Sequence, residues 1–174
     1  MSSKLKTYIC FLRGVNVGGR TILPMNELKT LCEKLGFERV RTYIQSGNII
    51  LESPLTEGAL TKQVETALQK KMGKHIPVAL RTIDELHDVL KNNPFRKAEP
   101  ARVGVMFFAK PVQKGFLDSV STSTGEEVKI GKREVYIYYP NSMGRSKLKL
   151  PKEAGEGTVR NINTVRKLVE LCRS

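Results

Sequence analysis

The segment VRTYIQSGNIILES, residues 40–53, most constrains the fold because it sets two β-rich runs on either side of a glycine turn. Aromatic and β-branched residues on both sides of Gly47 predict a β-hairpin. A helix is predicted before it, over residues 25–35, and another after it, over residues 56–72, because apolar residues recur there at helical spacing and a glycine follows each run. The hairpin therefore lies between two helices.

Two short apolar runs complete this half of the chain. Residues 8–12 precede the first helix, and the sequence IPVALR follows the second. The order strand, helix, strand, strand, helix, strand is that of a split βαβ, or ferredoxin-like, unit. Thr82 and Glu85 have the spacing of a capping box and predict the start of a further short helix.

The second half of the chain predicts similar elements. VGVMFFA is typical of a buried strand, KGFLDSV of a short helix, EEVKI with EVYIYY of a hairpin, and NTVRKLVELC of a final amphipathic helix. We therefore expect an α+β fold of two ferredoxin-like (split βαβ) subdomains, the second less regular. The expected boundaries are 1–83 for the first subdomain, 84–101 for a helix and linker, and 102–174 for the second.

Basic residues outnumber acidic ones, 30 to 17, which gives the 174-residue chain a net charge of +13. Such a charge favours anionic partners, although a solvated basic surface would look the same in the sequence. The three cysteines are widely spaced, and the apolar run near the start is too short for a signal peptide or a membrane span. These features predict a cytoplasmic protein without a membrane partner and leave its oligomeric state open.

Patterns for catalysis and metal binding are weak. The two histidines, His75 and His87, stand alone, and neither a Ser-His-Asp nor a Cys-His arrangement can be assembled. We therefore expect no metal and no cofactor. The sequence does not determine whether a reaction is catalysed, and it assigns no catalytic residue.

The sequence GVNVGGRT, residues 14–21, differs by one residue from the phosphate-binding pattern G-x-x-x-x-G-K-[ST]. Arg20 replaces the lysine, and three residues separate the motif from the predicted helix, whereas a true phosphate-binding loop leads directly into one. The strands VGVMFFA and EVYIYY also end without the aspartate that would hold magnesium. A nucleoside triphosphatase is therefore disfavoured.

The loop after the first strand and the turn after the second are expected at the same sheet edge, because strands one and two of a split βαβ unit run parallel. Glycines there would let an anion approach backbone N–H groups. Alternatively, the glycines only form a wide turn, and Asn16 and Asn48 bond to their own backbone. The candidate ligand-binding residues of this edge are Arg13, Asn16, Gly18, Gly19, Gln45, Ser46 and Asn48.

A second polar block lies near the C-terminus, where residues 145–174 contain eight basic and three acidic residues. The RNINT segment is expected at the start of the final helix, whose dipole and unpaired N–H groups favour an anion. Alternatively, one of its asparagines is simply the helix N-cap. The candidates from this block are Ser146, Lys147, Arg160, Asn161 and Asn163.

The motifs LRGVNVGG, TYIQSGN, NPF, GRSKL and TVRNINT occur in an order that resembles an uncharacterised bacterial family of a domain of unknown function. The family shares an R-G-[VI]-N-V-G-G start, a T-Y-I-Q-S-G-N segment and a closing T-x-R-N-W-N-T. Ile162 departs from it, since tryptophan is usual there. The resemblance implies a duplicated α+β protein of the cytoplasm and carries no activity.

Three hypotheses of function follow. The first is a binding protein in which the glycine-rich loop, the QSGN turn and the RNINT segment form one cationic site for nucleic acid or another phosphate-bearing ligand. The second is an enzyme acting on a small phosphorylated or carboxylated metabolite, with Ser46 as nucleophile and Arg13, Lys147 and Arg160 as electrostatic stabilisers. The third is a protein-interaction module. Steep salt dependence distinguishes the first from the second.

Overall fold

The computed structural model describes residues 4–122, 124–152 and 157–173. The chain divides into two compact units. The first contains residues 1–85 together with the chain from Leu171 onward, and the second contains residues 86–170. None of the described helices is both long enough and apolar enough to span a bilayer.

The first unit is built around a four-stranded antiparallel sheet in the order β2-β3-β1-β4. Its elements are β1 (Lys6–Leu12), α1 (Met25–Lys34), β2 (Glu38–Tyr43), β3 (Asn48–Ser53), α2 (Glu57–Met72) and β4 (Val78–Thr82). This order and topology are those of the ferredoxin-like unit.

The apolar faces of the strands and of the two helices pack together in the core of this unit. Alternate residues of β1, namely Tyr8, Cys10 and Leu12, share one buried cluster with Leu28 of α1 and Leu60 of α2. Both helices therefore cover the same face of the sheet. The ends of α2 are fixed locally, because the Thr56 hydroxyl accepts a hydrogen bond from the N–H of Ala59 at 3.3 Å and Gly73 takes a left-handed conformation.

The second unit repeats this strand order with less regular connections. After α3 (Ile83–Lys91) come β5 (Val103–Phe107), β6 (Glu127–Ile130), β7 (Glu134–Tyr138), β8 (Thr158–Asn161) and α4 (Ile162–Arg173). The sheet order is β6-β7-β5-β8, all antiparallel. A short 3-10 helix, Phe116–Ser119, stands where the first unit has α1. The predicted α+β fold with a less regular second half is confirmed.

The capping box at the start of α3 is also confirmed. The N–H of Glu85 donates to the Thr82 hydroxyl at 3.2 Å, and the N–H of Thr82 donates to the Glu85 carboxylate at 2.9 Å. These reciprocal bonds satisfy two donors at the helix start.

Strand β8 is the main correction to the sequence analysis. Arg160 and Asn161 were expected at the start of the final helix, but they lie in β8, where Arg160 is the register partner of Val105. The strand has only four residues and passes into α4 without a turn, so no turn signal separates the two patterns. Asn163 does lie in the first turn of α4.

The two units share a further local feature. Arg81 in β4 and Arg160 in β8 each lie two residues before a helix and are buried. Each donates a hydrogen bond from Nη1 to the carbonyl of the preceding residue, at 2.8 Å to Leu80 and 3.0 Å to Val159. The sequences at these points are ALRTI and TVRNI, which have the arginine at the same place before the helix.

Candidate functional site

Three loops meet at one end of the first sheet, which we call the basic end. They are residues 13–24, 44–47 and 73–77. The N–H of Leu12 donates to the carbonyl of Gly47 at 2.9 Å, and the N–H of Arg13 donates to that of Pro77 at 3.0 Å. The expected meeting of the glycine-rich loop with the QSGN turn is therefore found.

The glycine-rich loop contains a miniature hairpin over residues 16–21. The N–H of Arg20 donates to the carbonyl of Val17 at 3.0 Å, and the two residues form an antiparallel bridge. Gly18 and Gly19 occupy the turn with φ of 58° and 72°, a combination that side chains disfavour at both central positions of a two-residue turn. The glycines thus form the turn of a hairpin, and residues 22–24 separate that hairpin from α1.

Asn16 joins this hairpin to the neighbouring turn. Its Nδ2 donates to the carbonyl of Leu23 at 2.8 Å and to that of Gln45 at 2.7 Å, and its Oδ1 accepts from the N–H of Leu23 at 2.8 Å. The side chain therefore holds two loops together. Asn16 thus bonds to backbone, as the alternative expected, but to the backbone of Leu23 and of a second loop and not to its own.

Asn48 and Gly47 are buried beneath the basic end. The Nδ2 of Asn48 donates to the carbonyl of Tyr43 at 2.9 Å and to the Ser46 hydroxyl at 3.0 Å. Gly47 has a φ of 88°, and a Cβ added to it would lie 2.7 Å from a methyl carbon of Val15. These two residues are therefore part of the packed interior of the turn, whereas Gln45 is exposed at its surface.

The exposed charges of the basic end are all positive. Arg13, Arg20 and Lys74 are exposed, and none of the three loops contains an aspartate or glutamate. The carboxylate of Glu65 in α2 lies 4.0 Å from Nδ1 of His75 in the third loop. Lys74 was not among the predicted residues. The topology could have identified it, because the loop before strand four of a split βαβ unit lies beside the loop after strand one.

Three aliphatic side chains are also exposed here: Val17 by 62%, Ile22 by 67% and Ile44 by 47%. Each is next in the chain to Asn16 or to a residue that Asn16 binds, so the three lie on the loops that Asn16 holds together. Ile44 has a φ of 51°, which is rare for a β-branched residue. Hydrophobic periodicity gave no signal for them, because they lie outside any helix or strand.

Ser146 and Lys147 lie in the second unit. The Ser146 hydroxyl donates to the Glu126 carboxylate at 2.7 Å, and the Thr124 hydroxyl donates to the same carboxylate. The bond from Thr124, aided by that from Ser146 and opposed by burial, lowers the pKa of Glu126 to about 2. Ser146 therefore belongs to an internal network, while the side chain of Lys147 is exposed.

Arg160, Asn161 and Asn163 have distinct surroundings. Arg160 is 6% exposed and donates from Nη1 to the Thr158 hydroxyl at 2.9 Å. Burial lowers its pKa to about 10, so it stays charged at neutral pH. The Oδ1 of Asn161 accepts from the N–H of Asn163 at 2.8 Å, which makes Asn161 a cap of α4. These contacts favour structural roles for Arg160 and Asn161.

No three His, Cys, Asp or Glu side chains gather into a possible metal site within the ranges 4–122, 124–152 and 157–173. Cys10 and Cys32 are buried, and burial raises the pKa of Cys32 to about 12. Both thiols are therefore protonated at neutral pH. Glu153 and Glu156, two of the three acidic residues counted near the C-terminus, lie outside the described residues.

A family described as protein of unknown function (DUF1697) matches residues 5–136. The chain belongs to this family. The structure of the DUF1697 chain is similar to that of the conserved bacterial protein SP0830 from Streptococcus pneumoniae, with a TM-score of 0.77 and 23% sequence identity over 96% of this chain and 98% of that one. At this identity the similarity establishes the fold. No curated protein sequence matches the chain significantly.

Proposed function

We propose that this DUF1697 protein binds nucleic acid by its phosphates at the basic end of the first unit. The observation that carries the proposal is the convergence of three loops that contribute three exposed cations and no carboxylate. The whole chain has 17 acidic residues in 174, so their absence from all three loops concentrates positive potential at this end. A surface of this kind attracts polyanions.

The shape of the basic end supports contact with a phosphate backbone. The guanidinium group of arginine offers a planar set of donors to phosphate oxygens. Arg13 and Arg20 each contribute one exposed guanidinium group. The turn at Gly18 and Gly19 carries no side chains, so a phosphate can approach its backbone closely. Asn16 fixes this turn relative to Gln45 before any ligand binds, which lowers the entropy lost on binding.

The proposal is tested with Arg13→Ala, Arg20→Ala and Lys74→Ala, singly and combined, by fluorescence anisotropy with a short labelled oligonucleotide. Each single change is expected to weaken binding about three- to tenfold, which is about 0.7 to 1.4 kcal/mol. Each should also reduce the slope of log affinity against log salt by about 0.7 to 0.9, since one phosphate contact is lost.

Lys6→Ala is the matched control, because Lys6 is exposed at the opposite end of β1, about 20 Å away for a strand of this length. It removes the same charge and should leave affinity nearly unchanged. Equal affinities for Lys6→Ala and the combined variant would refute the proposed site.

The candidates of the second unit stay a prediction. Lys147→Ala in the same assay tests whether this exposed lysine of the second unit also contributes to binding. A loss similar to that of Arg20→Ala would show that it does, and an unchanged affinity would exclude it.

A further inference from the structure

The exposed aliphatic residues of the basic end have no role in holding phosphates. Val17, Ile22 and Ile44 are exposed by 62%, 67% and 47%, and each is next in the chain to Asn16 or to a residue that Asn16 binds. Scattered single hydrophobic residues on a surface need no explanation, but a group on two adjoining loops does. Half of the large hydrophobic side chains that are exposed in the described chain lie here.

The backbone at Ile44 strengthens this point. Its φ of 51° is left-handed, a conformation in which glycine or asparagine is far less strained than isoleucine. The side chain is nearly half exposed, so burial in the core does not compensate for the strain. A strained, exposed isoleucine indicates a contact made outside the chain.

The hairpin beside it projects into open space. No atom lies within 4 Å of the positions that Cβ atoms would take at Gly18 and Gly19, and Val17 precedes them. A projecting turn with aliphatic neighbours can pack against the flat face of a ligand group. It suits a peptide helix or strand less, because those bind in a groove or along a sheet edge.

We propose that the aliphatic patch of Val17, Ile22 and Ile44 contacts unpaired bases, so that the ligand of the basic end is single-stranded nucleic acid. This rests on the proposed function, since Arg13, Arg20 and Lys74 hold the phosphates on either side of those bases. In a duplex the base faces are covered by stacking, whereas unpaired bases present apolar faces to a protein. Charge complementarity selects the polyanion, and the patch selects its single-stranded form.

The test compares three labelled probes: a single-stranded oligonucleotide, the duplex of the same sequence, and inorganic polyphosphate, which has charge but no bases. The wild-type protein is expected to bind the single strand at least about fivefold more tightly than the duplex. Ile22→Ser and Ile44→Gly should each weaken single-strand binding about three- to tenfold and leave polyphosphate binding unchanged. Leu5→Ser is the control, because Leu5 is 42% exposed just before the other end of β1.

Thermal unfolding of the same variants separates a binding role from a structural one. Ile44→Gly removes the strained side chain, so its melting temperature should equal or exceed that of the wild type. A lower melting temperature together with unchanged single-strand affinity would show that Ile44 is structural and would overturn the proposal.

The remaining outcomes separate the two proposals. If Arg13→Ala and Arg20→Ala change binding to none of the probes, the proposed function fails. If they weaken all probes while Ile22→Ser and Ile44→Gly weaken none, phosphate binding stands and the base contact is wrong. Equal affinity for duplex and single strand would also overturn the proposed base contact. So would an acidic peptide with apolar side chains that displaces the labelled single strand more strongly than the unlabelled single strand does.

Discussion

The Asn16 side chain is the clearest case of one residue organising a surface. Its amide makes three hydrogen bonds to backbone atoms, two of them to Leu23 and one to Gln45. Its φ of 56° also lies in the left-handed region, which asparagine tolerates better than most residues. Both properties therefore explain why this residue type suits the position.

We expect Asn16→Ala to destabilise the first unit by about 2 to 4 kcal/mol, since it removes hydrogen bonds and puts an alanine at positive φ. Asn16→Gly removes the same hydrogen bonds but tolerates the backbone conformation, so it should cost about 1 kcal/mol less. Urea denaturation of the two variants measures this difference. Equal losses would mean that the backbone conformation contributes nothing.

Sequence reasoning reached Asn16 but not its role. Its partners lie 7 and 29 residues away, and no local pattern identifies a carbonyl at that distance. Arg160 shows the same limit, because a buried arginine in a four-residue strand and an exposed one before a helix have the same sequence. Charge and residue type identified the candidates, and tertiary contacts decided which are exposed.

At the scale of elements, prediction succeeded where turn chemistry and periodicity agreed. Glycines end or join α1, α2 and the β2–β3 hairpin, and each predicted boundary falls within a few residues of the observed one. Strand β8 was not predicted, because it runs directly into α4 and no turn residues mark the boundary between the two. The strand IPVALR was predicted to follow the second helix, but the place of loop 73–77 at the basic end became visible only from the complete sheet.

The β2–β3 turn yields a prediction at this scale. A Cβ at Gly47 would approach Val15 to 2.7 Å and Leu12 to 3.0 Å, in addition to the strain of positive φ. Gly47→Ala is therefore expected to cost about 2 to 4 kcal/mol by overpacking and strain together. Gly73→Ala is the control, because Gly73 has a similar φ of 74° and no atom within 4 Å of its Cβ position.

The control variant should lose only about 1 kcal/mol. Denaturant midpoints of both variants, measured with the wild type, give the comparison. Equal losses of stability in the two variants would show that Val15 moves aside at no cost. The close packing under the basic end would then not contribute to stability.

At the scale of the whole molecule, strand order and charge are separate matters. The strand order is repeated in both units, and loops of both units contain exposed cations without carboxylates, residues 13–24 and 73–77 in the first and residues 139–152 in the second. The net charge of +13 was readable from the sequence, but its distribution depends on which loops the topology brings together. The loops that the topology brings together therefore decide where positive charge is concentrated.

The net charge of +13 predicts opposite effects of salt on stability and on binding. Raising ionic strength from about 0.01 to about 0.15 M shortens the Debye length from about 30 to about 8 Å, which screens repulsion among surface cations. The melting temperature should therefore rise by about 2 to 4 °C, which corresponds to about 1 kcal/mol for a chain of this size. Affinity for an oligonucleotide should fall over the same range, because each counterion released on binding gains less entropy when the surrounding salt is more concentrated. Differential scanning fluorimetry measures the melting temperature and fluorescence anisotropy the affinity, in identical chloride buffers.

A melting temperature that falls with salt would mean that ion pairs such as Arg39–Glu52 outweigh the repulsion, and the excess charge would then be balanced within the fold.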